Sequence, residues 1–207
     1  MIGIYVSVPI ASFRHGLSRD YWETYQLPPP STCYGFLLSL VGEEDRMAHD
    51  GVRIAPALLN SPAKSTVLRT VWRVKSKTLG QGNNMTPVEQ ELLTGIELAM
   101  WVDSTEETRR DSLEVRINEA LSSPHLISRF GALCIGESTH VVNEVRLLES
   151  NKSLKQDIFL LNSEGAQSLP VWVNHVGSSG TRYVKGTLTN CDLSQPELGT
   201  MPTISAS

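Results

Sequence analysis

The stretch Leu27-Pro28-Pro29-Pro30-Ser31-Thr32-Cys33-Tyr34-Gly35-Phe36-Leu37-Leu38-Ser39-Leu40-Val41-Gly42 joins a proline run to an apolar segment. Consecutive prolines are stiff and disfavour a helix until the run ends. Ser31 or Thr32 is suited to cap a helix at its start, and Gly42 is suited to close it. The stretch therefore predicts a helix over residues 33–41 that is apolar on most faces and hence buried.

Segments on either side of this helix are rich in β-formers and alternate in polarity, which is typical of strands. Strands are predicted at residues 2–13, 66–77, 96–102 and 140–148. Residues 43–63 contain two prolines and are predicted to be a turn-rich connection. A capping box at Ser104 and Glu107 predicts a second helix that runs to about Leu121.

The resulting order over residues 1–150 is β-α-β-β-α-β, which predicts an α+β protein with a ferredoxin-like or RRM-like core. Residues 151–207 contain strand candidates at 157–162, 169–174 and 182–188, and they are predicted to form a small β appendage. The polar stretch from Gln195 to Ser207 is predicted to be mobile.

Composition excludes several classes of protein. The chain has 207 residues, 40% of them hydrophobic, and a net charge of −4, so it is not a disordered chain. Apolar runs are too short to span a bilayer, which takes about 20 residues. Three scattered cysteines without a Cys-x-x-Cys pair predict a cytoplasmic protein. We expect no metal site, cofactor or membrane association.

The charge is unevenly distributed along the chain. Residues 51–88 hold six basic residues and no acid, so the net −4 divides into +6 there and −10 elsewhere. In the predicted strand, Arg69, Arg73, Lys75 and Lys77 share one face, where they could follow a nucleic-acid backbone. The opposite face, with Trp72, suits packing or base stacking. An alternative is an exposed hairpin whose charges merely keep a sheet edge soluble.

Three motifs resemble the CRISPR-associated Cas-five family, RAMP-superfamily subunits of type I Cascade complexes. The first comprises Ser12-Phe13-Arg14 and the run from Thr24 to Leu38, and the second is Leu133-Cys134-Ile135-Gly136-Glu137-Ser138. The third lies at residues 87–102. Leu169-Pro170-Val171-Trp172-Val173 is similar to a type I-B-like branch.

This resemblance implies a non-catalytic RNA-binding subunit with an RRM-like core and a β-hairpin thumb at about residues 51–88. Such a subunit grips and caps the 5′ handle of CRISPR RNA in an antiviral ribonucleoprotein complex. Its protein partners are the Cascade backbone subunit and large subunit, and it meets target DNA only indirectly, through the complex.

The resemblance also implies roles for individual residues. The implied RNA-binding residues are Ser12, Phe13, Arg14, Tyr25, Ser31, Thr32, Arg69, Trp72, Arg73, Lys75, Lys77, Gly136 and Ser138. Arg14 would pair with a phosphate, and the amides near Ser31 and Thr32 would form an anion site. Core packing is the alternative for Phe13 and Tyr25, and close helix packing is the interpretation favoured for Gly35.

Nucleotide binding and RNA cleavage are two interpretations that compete with this one. Gly131-x-x-x-x-Gly136-Glu137-Ser138 is one residue from a P-loop, but Glu137 replaces the lysine and would repel phosphates. A loop whose backbone approaches RNA or a neighbouring strand fits better. A metal-independent endoribonuclease that processes precursor CRISPR RNA is the alternative function, with His15 as the histidine to test. An RRM-like protein-interaction module without an RNA role is a third hypothesis.

Overall fold

The computed structural model describes residues 1–15, 20–72, 84–107, 109–149, 154–174 and 179–206. The strands in this part of the chain are β1 (Ile2–Ala11), β2 (Arg14–His15), β3 (Tyr21–Thr24), β4 (Arg53–Leu58), β5 (Ala63–Trp72), β6 (Met85–Asp103), β7 (Glu144–Leu147), β8 (Lys155–Leu161), β9 (Gln167–Trp172) and β10 (Arg182–Asp192). The α-helices are α1 (Pro30–Val41) and α2 (Leu113–Ser122), and 3-10 turns lie at Pro124–Leu126 and Leu198–Thr200. The protein is therefore mixed α/β.

Strand β6 is the centre of the sheet, because it is 19 residues long and pairs along both edges. One edge pairs with β1 and then with β3. The other edge pairs with β4 through residues 98–103 and with β5 through residues 85–94. Gly95 lies between these two pairings with φ +67°, a conformation that glycine adopts at little cost.

The two helices pack against one face of the sheet. Ile4, Val6 and Val8 of β1 point into the same buried cluster as Leu37 of α1 and Ile117 of α2. These alternate positions on β1 are fully or almost fully buried, as period-2 patterning requires of the core-facing side of a strand. Packing in this core therefore holds β1 against both helices.

Helix α1 ends at Gly42 as predicted but begins three residues early. Pro29 is its N-cap, Pro30 is its first residue, and no side chain caps it. A proline is well tolerated at this position because its missing N–H would have no partner inside the helix. The prediction that Ser31 or Thr32 caps the helix is therefore wrong.

Helix α2 begins at Leu113, nine residues after the predicted Ser104 start, and Ser112 is its N-cap. The predicted capping pair instead supports the helix from outside. The Glu107 carboxylate accepts the backbone N–H of Leu113 at 3.2 Å, and Ser104 Oγ accepts that of Glu114 at 3.2 Å. Both residues thus bond to the start of a helix, as predicted, but that start lies further along the chain.

Residues 43–63 were predicted to be a turn-rich connection. They contain strand β4, so this prediction is wrong. Strand β4 is held by β6 on one side and by β8 on the other. Its partners are distant in the chain, so short-range pattern does not reveal it. Strand order across this part of the sheet is β7-β1-β6-β4.

The C-terminal residues extend the same sheet, in the order β4-β8-β10-β9. Residues 195–206, which belong to the stretch predicted to be mobile, are ordered instead. Ile204 is fully buried, its N–H donates to Val52 O at 2.8 Å, and Ile54 N–H donates to Pro202 O at 2.9 Å. Apolar burial and these backbone bonds hold the segment on β4. A domain boundary near residue 150 stays a prediction.

Candidate functional site

In the hairpin formed by β5 and the first half of β6, the face that carries Trp72 is exposed to solvent. The face that carries Arg69 was expected there instead. Leu68 and Trp72 are 74% and 63% exposed, and Met85, which pairs with Trp72, is also exposed. Val67, Arg69 and Val71 alternate with them and are half-buried. The strand alternation is confirmed, but the apolar face is the outer one. We call Leu68, Thr70, Trp72, Met85, Pro87 and Glu89 the outer hairpin face.

Arg69, predicted to contact phosphate, is held by the protein itself. Its Nη1 donates to Glu137 Oε2 at 2.9 Å and also to Gln90 Oε1. Gln90 Nε2 donates to Glu137 Oε1 at 2.5 Å, which closes a ring of three side chains. We call Arg69, Gln90 and Glu137 the Glu137 cluster. The guanidinium thus already has an anionic partner.

The other described cations of the basic window are paired as well. Arg53 bonds to Asp103 and Glu106, and Lys64 Nζ lies 2.7 Å from Glu91 Oε1. The hydrogen bond from Lys64 keeps the pKa of the Glu91 carboxyl below its usual value. Predicted RNA contacts at Arg73, Lys75 and Lys77 lie outside the described residues. The described cations of the basic window, Arg53, Lys64 and Arg69, are therefore each paired with an acid from another part of the chain.

The Ser12-Phe13-Arg14 motif divides between core and surface. Phe13 is 2% exposed and belongs to the core, which favours the packing alternative for this residue. Arg14 is exposed and its guanidinium carbon lies 4.4 Å from the centre of the Trp22 ring. Tyr25 N–H donates to Phe13 O at 2.8 Å, so the two halves of the first motif meet.

Tyr25 itself is half-buried beside the core. Its ring centre lies 4.5 Å from that of His15, in a tilted arrangement. Burial raises the pKa of the Tyr25 hydroxyl, with a smaller contribution from Tyr183. The hydroxyl therefore stays protonated near neutral pH, when it can donate a hydrogen bond.

The loop with Gly136 and Ser138 approaches the end of β1. Gly136 has φ +88°, and a Cβ there would lie 2.5 Å from the Ser12 carbonyl oxygen. His140 Nδ1 accepts the backbone N–H groups of Ser12 and Glu137 at 3.2 and 3.3 Å. Since Nδ1 accepts, this imidazole is neutral, and burial lowers its pKa. Ser138 is exposed on the same loop.

The predicted anion site at the start of α1 is not available. The N–H groups of Thr32 and Cys33 both donate to Pro29 O, at 2.9 and 3.0 Å, and Pro30 has no N–H. A helix start binds anions through free amides, which this one largely lacks. Ser31 and Thr32 instead line a groove of about 520 Å³. Contact of Ser31 and Thr32 with RNA stays a prediction.

Gly35 lies in the floor of the same groove, and a Cβ there would meet nothing within 4 Å. The prediction of close helix packing at Gly35 is therefore wrong. Phe130, 99% exposed, lines the groove across from the helix. In the described part of the chain, no group of three or more His, Cys, Asp or Glu could hold a metal ion. No described helix is long and apolar enough to cross a membrane.

Comparison with known proteins identifies the family. No family model matches the chain. The CRISPR-associated protein Cas5 of Myxococcus xanthus (strain DK1622) is 47% identical over 208 residues, which cover 99% of this chain and 97% of that protein. The chain belongs to the Cas5 family. The family resemblance inferred from the residue 12–38 motif is confirmed.

Two solved structures share the Cas5-family fold seen here. A chain described as "CRISPR RNA-guided surveillance complex" has a TM-score of 0.61 and 10% identity, with 92% of this chain and 91% of that chain covered. One described as "Crystal structure of Cas protein" has a TM-score of 0.50 and 13% identity, with 96% and 98% covered. At such identities the likeness concerns the fold alone.

Sequence reasoning missed the residues that organise this part of the Cas5-family chain. Glu137 lies in the second family motif and Gln90 in the third, but neither residue was predicted to bind, and His140 lies in none of the three motifs. A signal for Gln90 existed, since it is a polar residue inside a strand between Val88 and Leu93, and it is fully buried. Buried polar side chains almost always have a specific partner.

Proposed function

We propose that this Cas5-family chain is a non-catalytic subunit of a type I CRISPR RNA-guided surveillance complex and that it binds the 5′ handle of the CRISPR RNA. The observation that carries the proposal is the 47% identity to a Cas5 protein over essentially the whole of both chains. The fold likeness to a chain from a CRISPR RNA-guided surveillance complex supports it. Its protein partners would be the backbone and large subunits, and target DNA would be reached through them.

The core that would carry this function is ferredoxin-like. Support comes from the strand order β7-β1-β6-β4, which is antiparallel throughout, with both helices packed on one face. The hairpin of β5 and β6 is the element that would serve as the thumb. In the described residues β5 pairs with β6 alone, so this hairpin has a free edge and a free outer face.

The outer hairpin face supplies the chemistry for contact with single-stranded RNA. Trp72 is 63% exposed, and an exposed indole stacks on any base. Directly after Trp72 the chain continues with Arg73, Lys75 and Lys77. Base stacking on an aromatic side chain with phosphate pairing beside it is the usual combination in proteins that bind single strands. Arg14, exposed next to Trp22, would add a phosphate contact near the end of β1.

A non-catalytic role is supported by what surrounds the histidines. His49 is fully buried, and its Nδ1 lies 2.7 Å from Glu107 Oε2. His140 already accepts two backbone N–H groups. His15 is half-exposed and lies 3.3 Å from Glu23. An endoribonuclease that used two histidines as base and acid would need both to face one 2′-hydroxyl, and these three histidines each have a different partner.

The test is assembly of the complex on a labelled CRISPR RNA, with all subunits coexpressed. A variant with Trp72, Arg73, Lys75 and Lys77 all changed to Ala should assemble more weakly. The slope of its log affinity against log salt concentration should be smaller in magnitude by about 2, because each of the three cations accounts for roughly 0.7 of that slope. Lys155→Ala, which removes an exposed lysine on β8, is the matched control and should behave like the wild type.

Unchanged affinity in the quadruple variant would exclude the hairpin as the RNA-binding element. The same purified chain, incubated with a labelled repeat RNA and EDTA, tests the non-catalytic assignment. Specific cleavage there, lost on His15→Ala, would establish the endoribonuclease instead. If no RNA copurifies with the assembled complex, the chain is a protein-interaction module.

A further inference from the structure

The Glu137 cluster has the geometry of an occupied anion site. We propose that Arg69 and Gln90 form a phosphate subsite which the protein's own Glu137 carboxylate fills in the free subunit, and that a phosphodiester of bound RNA displaces it. This inference rests on the proposed RNA-binding function and adds a built-in competitor to it.

Each oxygen of the Glu137 carboxylate accepts one hydrogen bond from a different side chain. Oε2 receives Arg69 Nη1 at 2.9 Å, and Oε1 receives Gln90 Nε2 at 2.5 Å. Two oxygens of a phosphodiester can accept from the same pair of donors, because guanidinium groups bind carboxylate and phosphate alike. The carboxylate thus marks where a phosphate would bind.

The amide NH2 group of Gln90 points into the subsite and needs an acceptor there. Arg69 can only donate, so the Gln90 oxygen must face Arg69 and its NH2 group must face Glu137. Gln90 is fully buried, and a buried donor left without a partner destabilises the protein. Departure of Glu137 is therefore unfavourable unless another acceptor oxygen takes its place, and an anionic oxygen also suits Arg69.

His140 adds a third donor near the subsite. Because its Nδ1 accepts two backbone N–H groups, the proton of the neutral ring is on Nε2, which lies 4.0 Å from Glu137 Oε2. Ser12, bonded to this histidine, is 1% exposed, and its Oγ has no hydrogen-bond partner in the described part of the chain.

Exchange requires only a side-chain movement. The Glu137 backbone is fixed by its N–H bond to His140, and the preceding Gly136 is packed against Ser12. The carboxylate side chain is 27% exposed and Arg69 is 40% exposed, so both are reachable from solvent. Rotation of Glu137 into solvent would open the subsite without moving the loop. RNA must then compete with an internal carboxylate, which disfavours weak, nonspecific binding.

The experiment compares free-subunit affinity for a labelled repeat RNA by fluorescence anisotropy across a salt series. Glu137→Gln should bind RNA about three- to tenfold more tightly than the wild type, the difference that a released Arg–carboxylate pair supplies. Its salt slope should match that of the wild type, because in both proteins Arg69 neutralises the same phosphate once RNA is bound. Glu144→Gln is the matched control, because it removes an equal charge from the exposed Glu144–Arg146 pair.

Two further variants separate subsite opening from a change in total charge. Glu137→Asp keeps the charge but withdraws the carboxylate by one methylene, and it should also bind RNA more tightly. Adding Arg69→Ala to Glu137→Gln should abolish the increase in affinity. Equal affinities for Glu137→Gln and Glu144→Gln would overturn the subsite, and so would an increase that survives Arg69→Ala.

The failure of this inference differs from failure of the proposed function. If the assembled complex holds CRISPR RNA while Glu137→Gln changes nothing, only the subsite is refuted. If neither the free subunit nor the complex binds RNA with any variant, both proposals are wrong.

Discussion

Two glycines beside the same groove should respond oppositely to the same substitution. Gly35 lies inside α1, where an added Cβ meets nothing within 4 Å. Gly136 has φ +88°, and its Cβ would lie 2.5 Å from the Ser12 carbonyl oxygen and 3.3 Å from the Phe13 ring. We predict that Gly35→Ala stabilises the protein and that Gly136→Ala destabilises it.

The magnitudes follow from backbone preference and space. Alanine in place of an interior helical glycine adds about 0.5–1 kcal/mol of stability, and Gly35→Ala meets no steric penalty that would offset this. A left-handed conformation costs a non-glycine residue about 1–3 kcal/mol. At Gly136 the clash adds to this, because the Ser12 backbone must shift and its bond to His140 weakens. The two variants should differ in unfolding free energy by about 2–4 kcal/mol.

Urea denaturation of the purified chain, followed by tryptophan fluorescence, measures both free energies, and thermal denaturation provides a second measure. At 2–4 °C per kcal/mol for a chain of this size, Gly35→Ala should raise Tm by roughly 1–4 °C and Gly136→Ala should lower it by several degrees. Similar midpoints for the two variants would refute the claim that the Gly136 loop is locked against Ser12. A destabilised Gly35→Ala would show that α1 is closely packed at that position after all.

Two more predictions concern other parts of the chain. Ile204→Ala should lower the free energy of unfolding, measured by urea denaturation, by about 2–5 kcal/mol, because the side chain is fully buried. Leu198→Ala, at a 40% exposed position, should lower it by well under about 1 kcal/mol. Equal effects would mean that the C-terminal segment is not part of the core. The Asp45 backbone N–H and then Arg116 hold the pKa of Glu43 at about 2, below its usual 4.5, so its stabilisation is complete above pH 4.5 and is lost as pH falls toward 2. Glu43→Gln should therefore flatten the decline in unfolding free energy between pH 5 and pH 3, and an unchanged slope would contradict that assignment.

Local pattern was sufficient for elements whose signal is local. Helix α1 ends at Gly42 as predicted because the left-handed glycine cap depends on one residue. The alternating strand from residue 66 is present through Trp72. Strand β4 and the C-terminal segment were missed, because β4 pairs with β6 and β8, and the C-terminal segment bonds to the start of β4 across some 150 residues. Backbone pairing at that distance leaves no signature in either segment alone.

The pairing of Arg69 and Lys64 with acids was missed for a related reason. Summing charge along residues 51–88 gives +6, but a strand meets its neighbours across the sheet and not along the chain. Glu91 of β6 faces Lys64, and Glu137 reaches Arg69 from a loop nearly 70 residues away. Alternation placed Arg69 and Trp72 on opposite faces, yet it carries no information on which face points outward. In the structure Arg69 is on the inner face, where it bonds to Gln90 and Glu137, and Trp72 is exposed to solvent.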